Sequence, residues 1–267
     1  MKGHLHLICA ARAGGAGGSY LRSQSFRAPF HLSKPHQDAG ALVVNMVNPT
    51  AGIFDDDVIE LDATVETGAH LVLTSPSSSR VYRSRSGSYA AVKQTLRVQA
   101  GASLEYFPEP FIPHAGARYR QHNELHVAPG AGLMFFEWLT PGRVAKGEVF
   151  QYEELRWDTD VWFGEKLAAR ERYALRPADQ SVAPLRHFAP EAHYVGCFVM
   201  GLDSFPQEAV ETLGSAEVYI GAGPLCAGGW TIKALCRGAL DARRIMKELR
   251  RLIYEAMGKS APSLGRF

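Results

Sequence analysis
The sequence predicts a mainly β protein made of similar strand-turn-strand layers laid on one another, with two α-helices in its C-terminal third. Three observations predict this. The phrase V-x-x-G-A-x-L occurs at residues 65–71, 98–104 and 127–133. Through the first two thirds of the chain, apolar and polar residues alternate or β-branched residues cluster. Amphipathic helical spacing begins only after residue 200.

Each copy of the phrase reads as a strand ending on Val, a tight turn that needs Gly for a positive φ, and a new strand starting at Leu. The copies lie 33 and 29 residues apart, too uneven for a strictly regular solenoid. The first strand is marked by Leu5, Leu7 and Cys9, and residues 14–18 read as a glycine-rich turn without the G-x-G-x-x-G order of a phosphate loop. Further strands are expected at 42–47, 58–65, 71–74, 92–98 and 133–139, with Gly, Pro, Asn and Asp between them. The first helix is expected from Ser204, through Pro206 and Glu208, to a stop at Gly214. The second runs from about Ala239 to Ala256, with Ile245, Leu249, Leu252, Ile253 and Ala256 on its apolar face. Arg243, Arg244, Lys247, Arg250 and Arg251 read as its solvated face, with a docking surface for an acidic partner as the alternative. No linker or shift in composition divides the chain, so residues 1–267 are expected to form one domain.

An apolar content of 46% supplies a full core, and a formal net charge of +2 offers no footprint for nucleic acid or an anionic membrane. The sequence holds no apolar run of the roughly 20 residues that a bilayer-spanning helix needs. Residues 1–7 lack the apolar run and cleavage site of a secretory leader. Cys9, Cys197, Cys226 and Cys236 form no C-x-x-C pair, which favours reduced thiols and a cytoplasmic protein.

Four blocks between and after the repeats carry the chemistry. In residues 48–57, Asn48, Pro49 and Gly52 force a turn that ends in Asp55, Asp56 and Asp57. Three adjacent carboxylates stay ordered only beside a cation or basic neighbours, and a solvated acidic turn is the plain alternative. Residues 74–84 lead from small hydroxylated side chains to Arg80, Tyr82 and Arg83, and these arginines are expected to face the acidic turn from a neighbouring layer. Residues 104–113 carry Glu105, Pro108 and Glu109, and residues 140–150 carry Gly142, Arg143, Gly147 and Glu148.

In order and spacing, these blocks resemble the urease accessory protein family UreD, also called UreH. The family pattern runs from an N/P-P-x-x-G-x-x-x-x-D turn, through G-A-x-x-x-x-T and K/R-x-Y-R, to G-A-x-L-E-W/Y-x-P and G-R-x-x-x-G-E-x-F. Residues 48–57, 68–74, 80–83, 101–108 and 142–150 match these in turn. Residues 230–235 resemble the family's last strand, and 258–267 its closing tail. The chain departs at Thr50, Ala51, Asp55 and Asp56, where the family often has paired glycines, and at Phe267, where it has Trp.

The resemblance implies a β-helix-like stack of strands with two helices, acting as a scaffold and not as an enzyme. It implies a UreF-like partner, a UreG-like GTPase recruited through it, and docking of the complex on apo-urease. It also implies an internal polar channel for nickel in transit, with no tightly bound cofactor and no stable closed metal site. Matching position by position puts Asp57, Ser79 and Glu171 on that route; Glu105, Glu109, Glu137 and Glu148 are weaker candidates, which the sequence alone reads as surface or strand-pairing charges. Carboxylates suit the task because Ni²⁺ accepts oxygen ligands, and incomplete coordination lets the ion move on.

Other patterns carry less. His122 and His126 lack the helix and the adjacent Glu of a zinc-protease motif, and they read as strand histidines. Gly258, Lys259 and Ser260 have Ile253 where a P-loop needs its first Gly, so GTP hydrolysis must come from a partner. A β-helical carbohydrate-active lyase or hydrolase using Asp55, Asp56 and Asp57 with Arg80 or Arg83 is the alternative from another class. A plain β-sandwich binding module would explain the strands but not the ordered charged blocks.

Overall fold
A computed structural model of the protein describes residues 1–12, 18–50 and 52–264. Residues 14–17 of the expected glycine-rich turn, Ala51, and Arg266 and Phe267 of the closing tail lie outside the described residues.

The repeated phrase folds as its residues dictate. Gly68, Gly101 and Gly130 take φ values of 74°, 71° and 77°, a region that a Cβ makes costly. Each turn passes the chain from one sheet to the other. In the first sheet, Val58–Val65, Ala90–Val98, Arg118–Val127 and Glu154–Phe163 run parallel, stacking Val65, Val98 and Val127 in register. In the second, Ala41–Val47, His70–Thr74, Ser103–Phe107 and Gly132–Leu139 run parallel and stack Leu71, Leu104 and Leu133. The turns bond to one another as well: Ser103 N–H donates to the Ala69 carbonyl at 3.0 Å, and Gly132 N–H to that of Ala102 at 2.9 Å. The result is a solenoid-like stack of about 4 turns, closed at its ends by antiparallel strands such as Lys166–Leu175 and His193–Met200.

Gly132–Leu139 is covered on both faces, which explains its nearly continuous apolar run. Leu133 and Phe135 point into the stack, whereas Met134, Phe136 and Trp138 pack with a helix outside it. The described residues contain three α-helices: α1 (Ala183–Phe188), α2 (Gln207–Glu211) and α3 (Ala239–Ala256). The unexpected α1 has only six residues and buries none of them, so it leaves no apolar periodicity to read. α2 is a single turn that starts after Pro206. α3 has the expected bounds, and it lays Ala242, Ile245, Met246, Leu249 and Ile253 on the outer face of the second sheet. Arg244, Lys247 and Arg251 are exposed as expected, and Arg243 keeps a partly exposed side chain while bonding to a carboxylate of the sheet, but Arg250 is largely buried against another and does not belong to the solvated face. No helix among the described residues is long and apolar enough to cross a membrane.

Candidate functional site
Parallel register stacks polar residues as it stacks apolar ones. Gln94, Asn123 and Thr159 stand side by side on the inner face of the first sheet. Asn123 joins them: its Oδ1 accepts from Gln94 Nε2 at 3.0 Å and Gln121 Nε2 at 2.8 Å, and its Nδ2 donates to Thr159 Oγ1 at 2.9 Å. Glu137 meets this row from the second sheet. Its Oε1 accepts from Trp157 Nε1 at 2.6 Å, Asn123 Nδ2 at 3.2 Å and the Thr159 hydroxyl at 3.2 Å.

All of these donors are neutral. Glu137 is 2% exposed, and its Oε2 has no hydrogen-bond partner among the described residues. Burial pushes its carboxyl up to about 7, against the pull of the Trp157 hydrogen bond and with a further push from Glu171. The cluster borders a cavity of about 100 Å³ between the sheets, whose lining also includes Asn48, Ser75, Ser79 and Pro108. The cavity wall therefore combines neutral amide and hydroxyl groups with the buried Glu137 carboxylate.

The three residues carried over from the family pattern are placed differently. Ser79 lines the cavity. Glu171 lies beyond Glu137, where it accepts from the Tyr173 hydroxyl at 2.6 Å and pairs with Lys233 at 2.6 Å. The Tyr173 and Tyr194 hydroxyls meet at 3.0 Å beside it. The Asp57 carboxylate is not part of the cavity lining; Ile53 and Ile59 on either side of it are. Asp57 is buried and fastens its own turn, accepting from Phe54 N–H at 2.9 Å and from the Met1 ammonium at 2.7 Å. Glu137 holds the inner position, and its sequence signal was a single acid within an apolar strand.

Glu105 and Glu109 point the other way, toward α3. Glu105 makes a two-point ion pair with Arg250, with Nη2 to Oε2 at 3.0 Å, and accepts from the Tyr254 hydroxyl at 2.8 Å. Glu109 pairs with Arg243 at 3.0 Å. These contacts clamp the helix to the sheet and explain why Arg250 leaves the solvated face.

Asp55 and Asp56 share the Ser86 hydroxyl, whereas Asp57 bonds elsewhere. Asp55 accepts from the N–H groups of Ser86 at 2.9 Å and Arg85 at 2.8 Å and from the Ser86 hydroxyl at 3.0 Å, and these bonds hold its carboxyl below the usual range. Asp56 takes a φ of 62° and accepts from the same hydroxyl at 3.2 Å. Backbone amides therefore do what the sequence suggested for Arg80 and Arg83: among the described residues, no ion pair joins either arginine to the turn.

The remaining motif residues converge on a surface cleft. Asn48 accepts from Thr50 N–H at 3.0 Å, closing an Asx turn. A Cβ at Gly52 would lie 2.5 Å from the Tyr82 ring, and that ring stacks on Phe54 at 4.7 Å and meets His114 edge-on at 4.9 Å. A Cβ at Gly142, whose φ is 137°, would strike the Glu148 carbonyl, and Gly147 closes the next turn at a φ of 71°. Arg143 grips Glu148 through two bonds, and Glu148 also accepts from Ala115 N–H at 3.0 Å. Phe54, Tyr82, Arg83, Arg85, His114 and Arg143 wall a cleft of about 780 Å³.

Among the described residues, no group of three or more His, Cys, Asp or Glu side chains is placed to hold a metal ion. His122 and His126 turn away from the interior, one 3.6 Å from Asp160 and the other stacked on Trp162.

Residues 1–267 match the family model described as UreD urease accessory protein. A urease accessory protein UreD from Opitutus terrae is 39% identical over 265 residues, covering 95% of this chain and 94% of its own. One from Deinococcus radiodurans is 30% identical over 236 residues, covering 86% of this chain and 84% of its own.

Proposed function
Since this chain belongs to the UreD family of urease accessory proteins, we propose that it is a non-enzymatic scaffold that passes nickel through its interior toward the active site of urease. In this reading it works in the cytoplasm with a UreF-like protein, a UreG-like GTPase and the structural subunits of apo-urease, and it engages neither nucleic acid nor membrane. Nickel is cargo here, and no cofactor is tightly bound.

The observation that carries the reading is Glu137. Its carboxylate is buried, borders a cavity, meets only neutral donors and keeps one oxygen without a partner. A carboxylate so placed gains more from a passing cation than one already paired with an arginine. Ser79 and Glu171 lie to either side of it in this route, and Asp57 supports the route by fixing the turn beside the cavity.

The test is co-expression with the UreF-like and UreG-like proteins and apo-urease. Glu137→Gln, Glu171→Ala and Asp57→Ala are each expected to leave the partners co-purifying while urease activation falls. Loss of the complex itself would assign these residues to folding or docking, and full activation by the Glu137 and Glu171 variants would remove nickel from the interior.

A further inference from the structure
We propose that the cleft walled by Phe54, Tyr82, Arg83, Arg85, His114 and Arg143 is a docking site for an acidic segment of a partner protein. Its cations have no full set of anions among the described residues. Three guanidinium groups line the cleft with only two carboxylates, Asp55 and Glu148. Asp55 is engaged by the backbone of residues 85 and 86, and Glu148 by Arg143 and Ala115 N–H. Arg83 and Arg85 are exposed and have no ion-pair partner among the described residues. A guanidinium presents a planar fork that matches a carboxylate at two points, so two of them in one cleft favour an acidic ligand over a single dispersed charge.

A second observation is independent of the arginines. His114 lines the same cleft, is 7% exposed, and its Nε2 has no hydrogen-bond partner among the described residues. A buried nitrogen left without a partner is costly, and a ligand oxygen removes that cost. Burial and the Arg143 guanidinium hold the ring below its ordinary pKa, and a neutral imidazole carrying its proton on Nε2 would donate to such an oxygen.

The rest of the wall suits a polypeptide. Phe54 is 45% exposed although its ring is stacked on Tyr82, which leaves an apolar strip beside the cations for backbone and aliphatic stems. A metal ion would be repelled by the three guanidinium groups, and a net charge of +2 supplies no extended basic track for nucleic acid. Tyr82 and Arg83 follow Ser79 on one short segment, so a segment docked here sits close to the Ser79 side of the cavity. The docking holds whether or not a metal ion travels through that cavity.

Fluorescence anisotropy of a fluorescein-labelled oligoglutamate on the full chain tests this. Saturable binding is expected, weakened about tenfold or more in Arg83→Ser/Arg85→Ser and lost as salt rises. The control Arg244→Ser/Lys247→Ser, which removes the same charge from the exposed face of α3, is expected to bind within about twofold of the parent. His114→Phe is expected to weaken binding while both arginines remain. All four substituted charges are exposed, so unchanged melting curves should accompany these effects. Absence of saturable binding, equal loss in the control, or an unaffected cleft variant would overturn the proposal. Equally tight binding of an oligothymidylate would overturn the assignment to an acidic protein segment.

Discussion
Glu105 and Glu137 stand on neighbouring strands of the second sheet, and each is 2% exposed. Glu105 faces outward to Arg250 and Tyr254, whereas Glu137 faces inward to Asn123, Trp157 and Thr159. Taking a carboxylate out of water costs several kcal/mol unless a counter-charge and hydrogen bonds replace the solvent. Glu105 has both, so its charge is used up in holding α3 to the stack. Glu137 has hydrogen bonds to one oxygen and no ion pair among the described residues, so burial favours its protonated form, with which any cation would have to compete. Equal burial thus separates into a structural role and an available one, and the difference lies in the charge of the partner.

The sharpest way to break this contrast is to remove one half of the outer pair. Glu105→Ala leaves Arg250 buried without its anion and is expected to cost about 3–5 kcal/mol, read as a lower urea midpoint. The double variant Glu105→Met/Arg250→Met is expected to recover most of that loss, because both desolvation costs disappear together. A single substitution costing less than about 1 kcal/mol would mean that the apolar stripe alone holds α3.

The inner carboxylate predicts a pH dependence. Its folded pKa is raised from the ordinary 4.5 to about 7, so between these values the folded chain holds a proton that the unfolded chain has released. Stability from this group is present below about 4.5, falls as pH rises toward 7, and is gone above that; the loss is on the order of 3 kcal/mol. Glu137→Gln has no such ionisation. Urea unfolding of parent and variant at about pH 5 and about pH 8 is expected to shift in favour of the variant at the higher pH. A constant difference between them would mean that Glu137 is neutralised by a charge after all, and the contrast with Glu105 would vanish.

How far this contrast could be read from sequence depended on the range of the interaction. The turns at Gly68, Gly101 and Gly130 were legible because positive φ is a local demand. The long helix was legible because its apolar stripe repeats at helical spacing. The row Gln94, Asn123 and Thr159 was not, since it exists only once strands about 30 residues apart are set in register. Glu137 read as one acid in an apolar strand, and its inward direction follows only from the covering of both faces. The ion pairs of Arg243 and Arg250 were not legible because the carboxylates that receive them lie 134 and 145 residues away in sequence. The bonds of Asp57 to Phe54 N–H and to the Met1 ammonium were not legible either, because residue type does not encode which groups a buried carboxylate meets.

The smallest expected effect isolates what holds α3 in place. Gly238 is its N-cap, with a φ of −148°, no side-chain cap hydrogen bond, and open space where a Cβ would go. Gly238→Ser supplies the missing acceptor for the first turn and is expected to stabilise the protein by only a few tenths of a kcal/mol in urea unfolding. The gain should add to the loss in Glu105→Ala instead of rescuing it, because the cap acts on the helix itself and the ion pair acts between helix and sheet. Rescue by more than about 1 kcal/mol in the combined variant would show that Glu105 matters by keeping α3 helical, and its charge pairing would then be secondary.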